Sequence, residues 1–120
     1  MDIEITKDSD YLICSLYKAY LQKRSNGMNK IQASSMGGSE EIQKELFPNW
    51  SIEDVDATCR ELHRAELLHC FFADDIVYES VLSDKAIIYM ENRFKNNVDT
   101  VMDYIGVNFK YCVNLHYGVE

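Results

Sequence analysis

The sequence predicts an α+β domain, and three of its features carry the prediction. Apolar residues recur at helical spacing through the first half of the chain, two apolar and aromatic runs then flank Asp74-Asp75 as a hairpin would, and the last residues alternate apolar with polar. With 120 residues, 47% of them apolar, there is material for one core.

The first helix is expected from Ser9 or Asp10 to Gln22, because Leu12, Leu16, Ala19 and Tyr20 recur at helical spacing while Ile13 and Tyr17 widen the stripe. Lys18, Lys23, Arg24 and Lys30 form a basic patch in or just after it, and Asn26-Gly27 marks a turn. The stretch "KIQASSM" fits either a short strand or an irregular approach to the next helix. That second helix is short: Gly37-Gly38 punctuates, Ser39 supplies an N-cap, Glu40 and Glu41 suit the positive end of the dipole, Ile42, Leu46 and Phe47 face inward, and Pro48 stops it. Ser51 with Asp54 resembles a capping box opening a third helix. Ile52, Val55, Cys59 and Leu62 make its core stripe, which puts Glu53, Asp56, Ala57, Arg60 and Arg64 on or near the outward face.

From Leu67, "LLHCFFADDIVYESVL" reads as a β-hairpin whose turn lacks the usual glycine. Ser83 then caps a helix that packs Ala86, Ile87, Met90 and Phe94 inward, and a further helix covers Val98 to Ile105, closed by Gly106. In the tail, Val107, Phe109, Tyr111, Val113, Leu115, Tyr117 and Val119 fall on one face of an expected strand. Such a strand pairs with the hairpin's own edge or with its counterpart in a second copy. The expected organisation is a domain over residues 1–96 and an extension over 97–120 that offers residues 107–119 for homodimerisation.

Helix, short helix, tight turn, third helix, hairpin and a helix introduced by "LSDKA" is the order of a winged helix-turn-helix domain. Residues from about Asp10 to Phe94 resemble small winged-helix proteins of Firmicutes and their phages, in particular the YjcQ-like family. There "DYEVLK" opens the first helix and a "T-x-K-G-x-x-Y-L" box follows the wing; this chain has "DYLICSLYKAY" and "LSDKAIIYMEN", with Ala86 where the box has glycine. The resemblance implies a three-helix core with a hairpin wing, to which the C-terminal helix and strand are additions. It also implies duplex DNA as the usual ligand, with the third helix in the major groove and the wing beside the backbone.

Charge opposes that ligand. The net charge is -8, and between Ser39 and Glu66 eight acids face three bases, with Asp74 and Asp75 added at the wing tip. Phosphates repel such a surface, and the lysines and arginines that normally supply most of the affinity are missing. One reading is therefore a non-enzymatic module that binds a protein with a basic surface through Glu53, Asp54, Asp56, Arg60, Glu61, Arg64, Asp74 and Asp75, as a phage or mobile-element regulator or an inhibitor mimicking nucleic acid would. The alternative is a DNA-binding regulator using Arg60 and Arg64, with Lys18, Lys23, Arg24 and Lys30 on the backbone. Internal pairs, Asp56 with Arg60 and Glu61 with Arg64, are the plainer use of those side chains.

Other chemistries find less. Cys59 and His63 have a spacing that, on a helix, lets two ligands share a zinc ion; Cys112 and His116 have the same spacing on the expected strand, where about 13 Å separates them. No metal or cofactor is expected. No glycine-rich phosphate loop and no oriented Cys-His pair marks an enzyme. Four scattered cysteines without a C-x-x-C pair suit reduced thiols. Acids at the start, where a signal peptide carries positive charge, suit the cytoplasm, and no membrane span is expected.

Overall fold

The computed structural model describes residues 3–95 and 97–109. Among them six helices and one hairpin follow in the order α1 (Lys7–Ser25), α2 (Lys30–Ser34), α3 (Ser39–Leu46), α4 (Ile52–Arg64), β1 (Leu68–Ala73), β2 (Ile76–Leu82), α5 (Asp84–Phe94) and α6 (Val98–Asn108). The architecture is α+β.

Helix α1 is the spine, with Leu12, Ile13, Leu16 and Tyr17 wholly buried and α2, α4, α5 and α6 packed around it. It starts earlier than expected because Thr6, not Ser9, caps it: Thr6 Oγ1 accepts from Ser9 N at 3.1 Å. It also runs on through Lys23 and Arg24, whose charges suit its negative end. The stretch "KIQASSM", expected as a short strand or an irregular approach, is instead mostly a short helix, with a single bridge after it. Asn29 caps the short α2 by accepting from Gln32 N at 2.8 Å, and Ser35 then forms a single antiparallel bridge with Val81.

Gly38, not Ser39, is the N-cap of α3. A Cβ at Gly38 would lie 2.7 Å from the carbonyl oxygens of Val77 and Tyr78, so only glycine lets α3 begin this close to β2. Glu41 Oε1 accepts from Gly38 N at 2.7 Å. In α4, Ser51 Oγ accepts from Asp54 N at 3.0 Å as expected, and Val55, Cys59 and Leu62 are buried. Ile52, however, is 37% exposed, and Thr58 is buried in its stead.

The hairpin pairs Leu68 with Leu82 through Ala73 with Ile76. Its two-residue turn needs left-handed backbone at both positions, and Asp74 (φ 54°) and Asp75 (φ 64°) supply it, since aspartate tolerates that region better than most residues. A bulge between Phe71 and Phe72 leaves Tyr78 without an opposite number.

Helix α5 packs the expected Ala86, Ile87, Met90 and Phe94. Helix α6 corrects two expectations. Gly106 lies inside it rather than closing it, and Val107 and Asn108 are helical rather than the start of a strand. The reason is packing: Val101 and Phe109, both buried, lie at helical spacing, and Phe109 stacks on Tyr11 with ring centroids 4.8 Å apart. The rest of the expected strand, residues 110–119, lies outside the described residues. Among the described residues no helix is long and apolar enough to cross a membrane.

Candidate functional site

The surface built from α4 and the hairpin tip carries the residues singled out in the sequence, and it divides them into two groups. Asp56 is half-buried and bonded within the fold. Its Oδ1 accepts from Ser39 Oγ at 2.7 Å and from Val77 N at 2.9 Å, while Oδ2 accepts from Arg60 Nε at 2.7 Å. One carboxylate, 14% exposed, thus joins α3, α4 and β2: Asp56 lies near the outward face, as expected, but its oxygens are spent on bonds within the fold. Burial alone pushes an acid up, but the Val77 N–H, the Ser39 hydroxyl and the Arg60 guanidinium outweigh it and hold Asp56 below the usual carboxylate range.

Arg60 is likewise tied inward. Besides Asp56, its Nη2 donates to the Asp75 carbonyl at 2.7 Å, and its guanidinium lies 4.8 Å from the Phe72 ring centroid. The expected Asp56–Arg60 pair is present and is extended to the hairpin tip. His63, one turn further, meets Phe72 edge-on at 5.4 Å, and its Nδ1 accepts from Cys70 N at 3.1 Å. The imidazole therefore covers the outer edge of β1, while Met36 N donates to Ser80 O at 2.9 Å on the outer edge of β2. Cys59, the other half of the pair with metal-ligand spacing, is a core residue.

Glu61 is used elsewhere. Its Oε1 accepts from Thr6 Oγ1 at 2.6 Å and Ser9 Oγ at 2.7 Å, fastening the start of α1 to α4. Those hydroxyls hold its carboxyl below the ordinary range, with Arg64 contributing only through space, so the expected Glu61–Arg64 pair gives way to a contact 55 residues distant. Glu53, Asp54, Arg64, Asp74 and Asp75 remain exposed. In the basic patch Lys23 Nζ donates to Ser35 O at 2.9 Å, Arg24 Nη1 to Met28 O at 3.2 Å, and Lys30 pairs with Asp84 at 3.0 Å; Lys18 is half-buried.

A second polar cluster has no counterpart in the sequence reading. Arg93 Nη1 donates to Asp10 Oδ1 at 2.7 Å and Tyr104 Oη to Asp10 Oδ2 at 2.6 Å, clasping α1, α5 and α6. The guanidinium lies 4.7 to 5.3 Å from the ring centroids of Tyr104, Phe94 and Tyr89. Arg93 and Tyr104 lie 83 and 94 residues from Asp10 in sequence, so no local spacing announces these bonds.

The described cysteines are buried thiols. Burial pushes Cys59 up to about 12 and Cys70 up to about 11, and Cys14 is raised as well by burial and by Asp10. Cys14, Cys59 and Cys70 are accordingly expected to resist a thiol reagent such as DTNB in the native protein and to react fully in denaturant. Rapid native labelling of any of the three would mean that the core opens.

Fold and surface together define an α+β protein with two successive helices leading into a hairpin, whose outward charge at that end is mainly acidic. No family model, curated protein or solved structure matches the chain.

Proposed function

We propose that the chain is a winged-helix module that acts by binding, taking a protein partner with a basic surface through α4 and the hairpin wing. In that frame α1, α3 and α4 are the three-helix core, the Ser35–Val81 bridge stands where a short third strand lies, and β1–β2 is the wing. The observation that carries the reading is Arg60. A duplex reader needs this arginine free for phosphate or base, yet it is engaged by Asp56, the Asp75 carbonyl and the Phe72 ring. What faces outward beside it is Glu53, Asp54, Asp74 and Asp75, with Arg64 as the cation. Asp56 and Glu61 are left out of this docking face because they hold the fold. Regulation or inhibition of a nucleic-acid-binding protein, with these acids in the place of phosphates, is the use that fits such a surface.

Titration of a labelled duplex at two salt concentrations tests the proposal. Wild-type protein is expected to show no saturable binding. Reversal of Glu53, Asp54, Asp74 and Asp75 to lysine, which cancels the net charge of -8, is expected to bring affinity into the range of ordinary non-specific DNA binders, about 1 to 100 μM. Tight wild-type binding that weakens steeply with salt would overturn the proposal in favour of the DNA-binding alternative, with Lys18, Lys23, Arg24 and Lys30 on the backbone.

A further inference from the structure

The hairpin has two faces, and one of them packs on the core while the other is largely exposed. Leu68 and Cys70 turn inward, and Phe72 continues that side toward Arg60 and His63. His69 and Phe71 alternate with them on the other side, opposite Val81 and Glu79. The bulge adds Tyr78 to the exposed surface there. Phe71 is 49% exposed and Tyr78 56% exposed, and at the base of the strands His69 and Val81 share a groove with Ile31, which is 83% exposed. Phe71 and Tyr78 thus lie toward the tip of this face and Val81 and Ile31 toward its base, with His69 and Glu79 between them, the Glu79 carboxylate accepting from Gly37 N at 2.8 Å. A six-residue strand makes this face about 20 Å long.

We infer that this outer face of the wing docks an amphipathic helix of a partner protein, with the helix's apolar side on Phe71, Tyr78 and Ile31 and lysine or arginine at the end nearest Asp74 and Asp75. The inference rests on the reading of the protein as a binder of basic protein surfaces, and it names the apolar centre that the acids alone do not supply. Three observations select the occupant. First, a partner strand has little backbone to pair with, because His63 covers the edge of β1 and Ser35 with Met36 covers the edge of β2. Docking therefore falls to side chains on the face, which a helix of about 13 residues matches in length. Second, the tip carries Asp74 and Asp75, both exposed, and the one base beside them, Arg60, 3.8 Å from the Asp75 carboxylate, is already paired with Asp56, while at the base Lys30 is paired with Asp84. Third, a second copy brings a net charge of -8 and the same acidic tip, and nucleic acid or an anionic bilayer brings phosphates, so each meets repulsion where a basic helix meets attraction.

The test uses the full chain and a synthetic leucine–lysine amphipathic helix, with the matching leucine–glutamate helix as control, followed by fluorescence anisotropy. Saturable binding of the lysine peptide alone is expected. Phe71→Ala with Tyr78→Ala should weaken it about tenfold or more, as loss of aromatic anchors does. Asp74→Asn with Asp75→Asn should weaken it less and flatten its salt dependence. Both pairs lie at the surface, so an unchanged thermal midpoint will show that the fold is intact. Glu53→Lys with Asp54→Lys separates the two claims. If peptide binding follows those α4 acids and ignores Phe71 and Tyr78, the outer-face inference fails while the protein-binding reading stands. Failure of the lysine peptide to bind, equal binding of the glutamate peptide, or a Phe71/Tyr78 effect seen only in self-association or on phosphatidylserine vesicles would each overturn the inference.

Discussion

Asp56→Ala is expected to lower the unfolding free energy by about 3 kcal/mol, since it strips the partners from a buried hydroxyl, a backbone N–H and a guanidinium at once. Urea denaturation followed by far-UV circular dichroism measures it. The expectation follows from geometry: three bonds of 2.7 to 2.9 Å converge on a carboxylate that is 14% exposed. Asp56→Asn keeps an acceptor for Ser39 and Val77 but loses the charge that holds Arg60, so it should fall between wild type and alanine. Asp54→Ala, an exposed acid two positions away, should cost about 0.5 kcal/mol, the scale of a helix-dipole contact. A loss at Asp56→Ala no larger than at Asp54→Ala would return Asp56 to the docking surface.

The same carboxylate sets an acid limit. Asp56 and Glu61 are both held below their ordinary range in the folded state, so the stability they contribute is complete above the unfolded values and is lost as pH falls through the folded ones. The thermal midpoint should stay level down to about pH 5 and drop below about pH 4, where unfolded carboxylates take up protons and the folded ones resist. Asp56→Asn should make that drop shallower. Because Asp56 also orients Arg60 toward the Asp75 carbonyl, acid should loosen the hairpin from α4 as it destabilises the fold.

The sequence made the helical stripes, the hairpin and its turn legible, because each is a local pattern. Val55, Cys59 and Leu62 announce one face of α4, and Ala86, Ile87, Met90 and Phe94 one face of α5. What stayed hidden is of two kinds. Some contacts join residues far apart: helical spacing pairs Glu61 with Arg64, yet its bonds go to Thr6 and Ser9, which only the packing of α1 on α4 brings near. Others depend on a competition between patterns. Val107 and Phe109 begin an alternation that extends through residue 119 in the sequence, but Val101 and Phe109 are also spaced as a helix, and burial of Phe109 against Tyr11 decides for the helix. Gly38 belongs with the hidden kind too, since the approach of β2 that excludes a Cβ is a tertiary fact. On the candidate surface the consequence was direct. Charge counting found the acidic end of the molecule, but it could not separate Glu53, Asp54, Asp74 and Asp75, which face water, from Asp56 and Glu61, which hold helices together.

Asp10→Ala is expected to be as damaging as the Asp56 change, about 3 kcal/mol, because it leaves the Arg93 guanidinium among three aromatic rings without its counter-ion and the Tyr104 hydroxyl without its acceptor. Two readouts separate loss of the clasp from general weakening. The first is Tyr104 itself. Burial, the bond to Asp10 and the Asp10 charge together push its hydroxyl up to about 12, so removal of Asp10 should shift phenolate formation downward in an ultraviolet pH titration, with Tyr104→Phe identifying the signal. The second is amide hydrogen exchange. Helix α6 meets the core through Val101 and Phe109 and meets Asp10 through Tyr104, whereas the hairpin is fastened by Asp56, Arg60 and His63. Exchange in α6 should therefore quicken more than exchange in β1 and β2. If all three quicken equally, the molecule opens as one unit, and the Asp10–Arg93–Tyr104 clasp has no separate hold on the C-terminal helix.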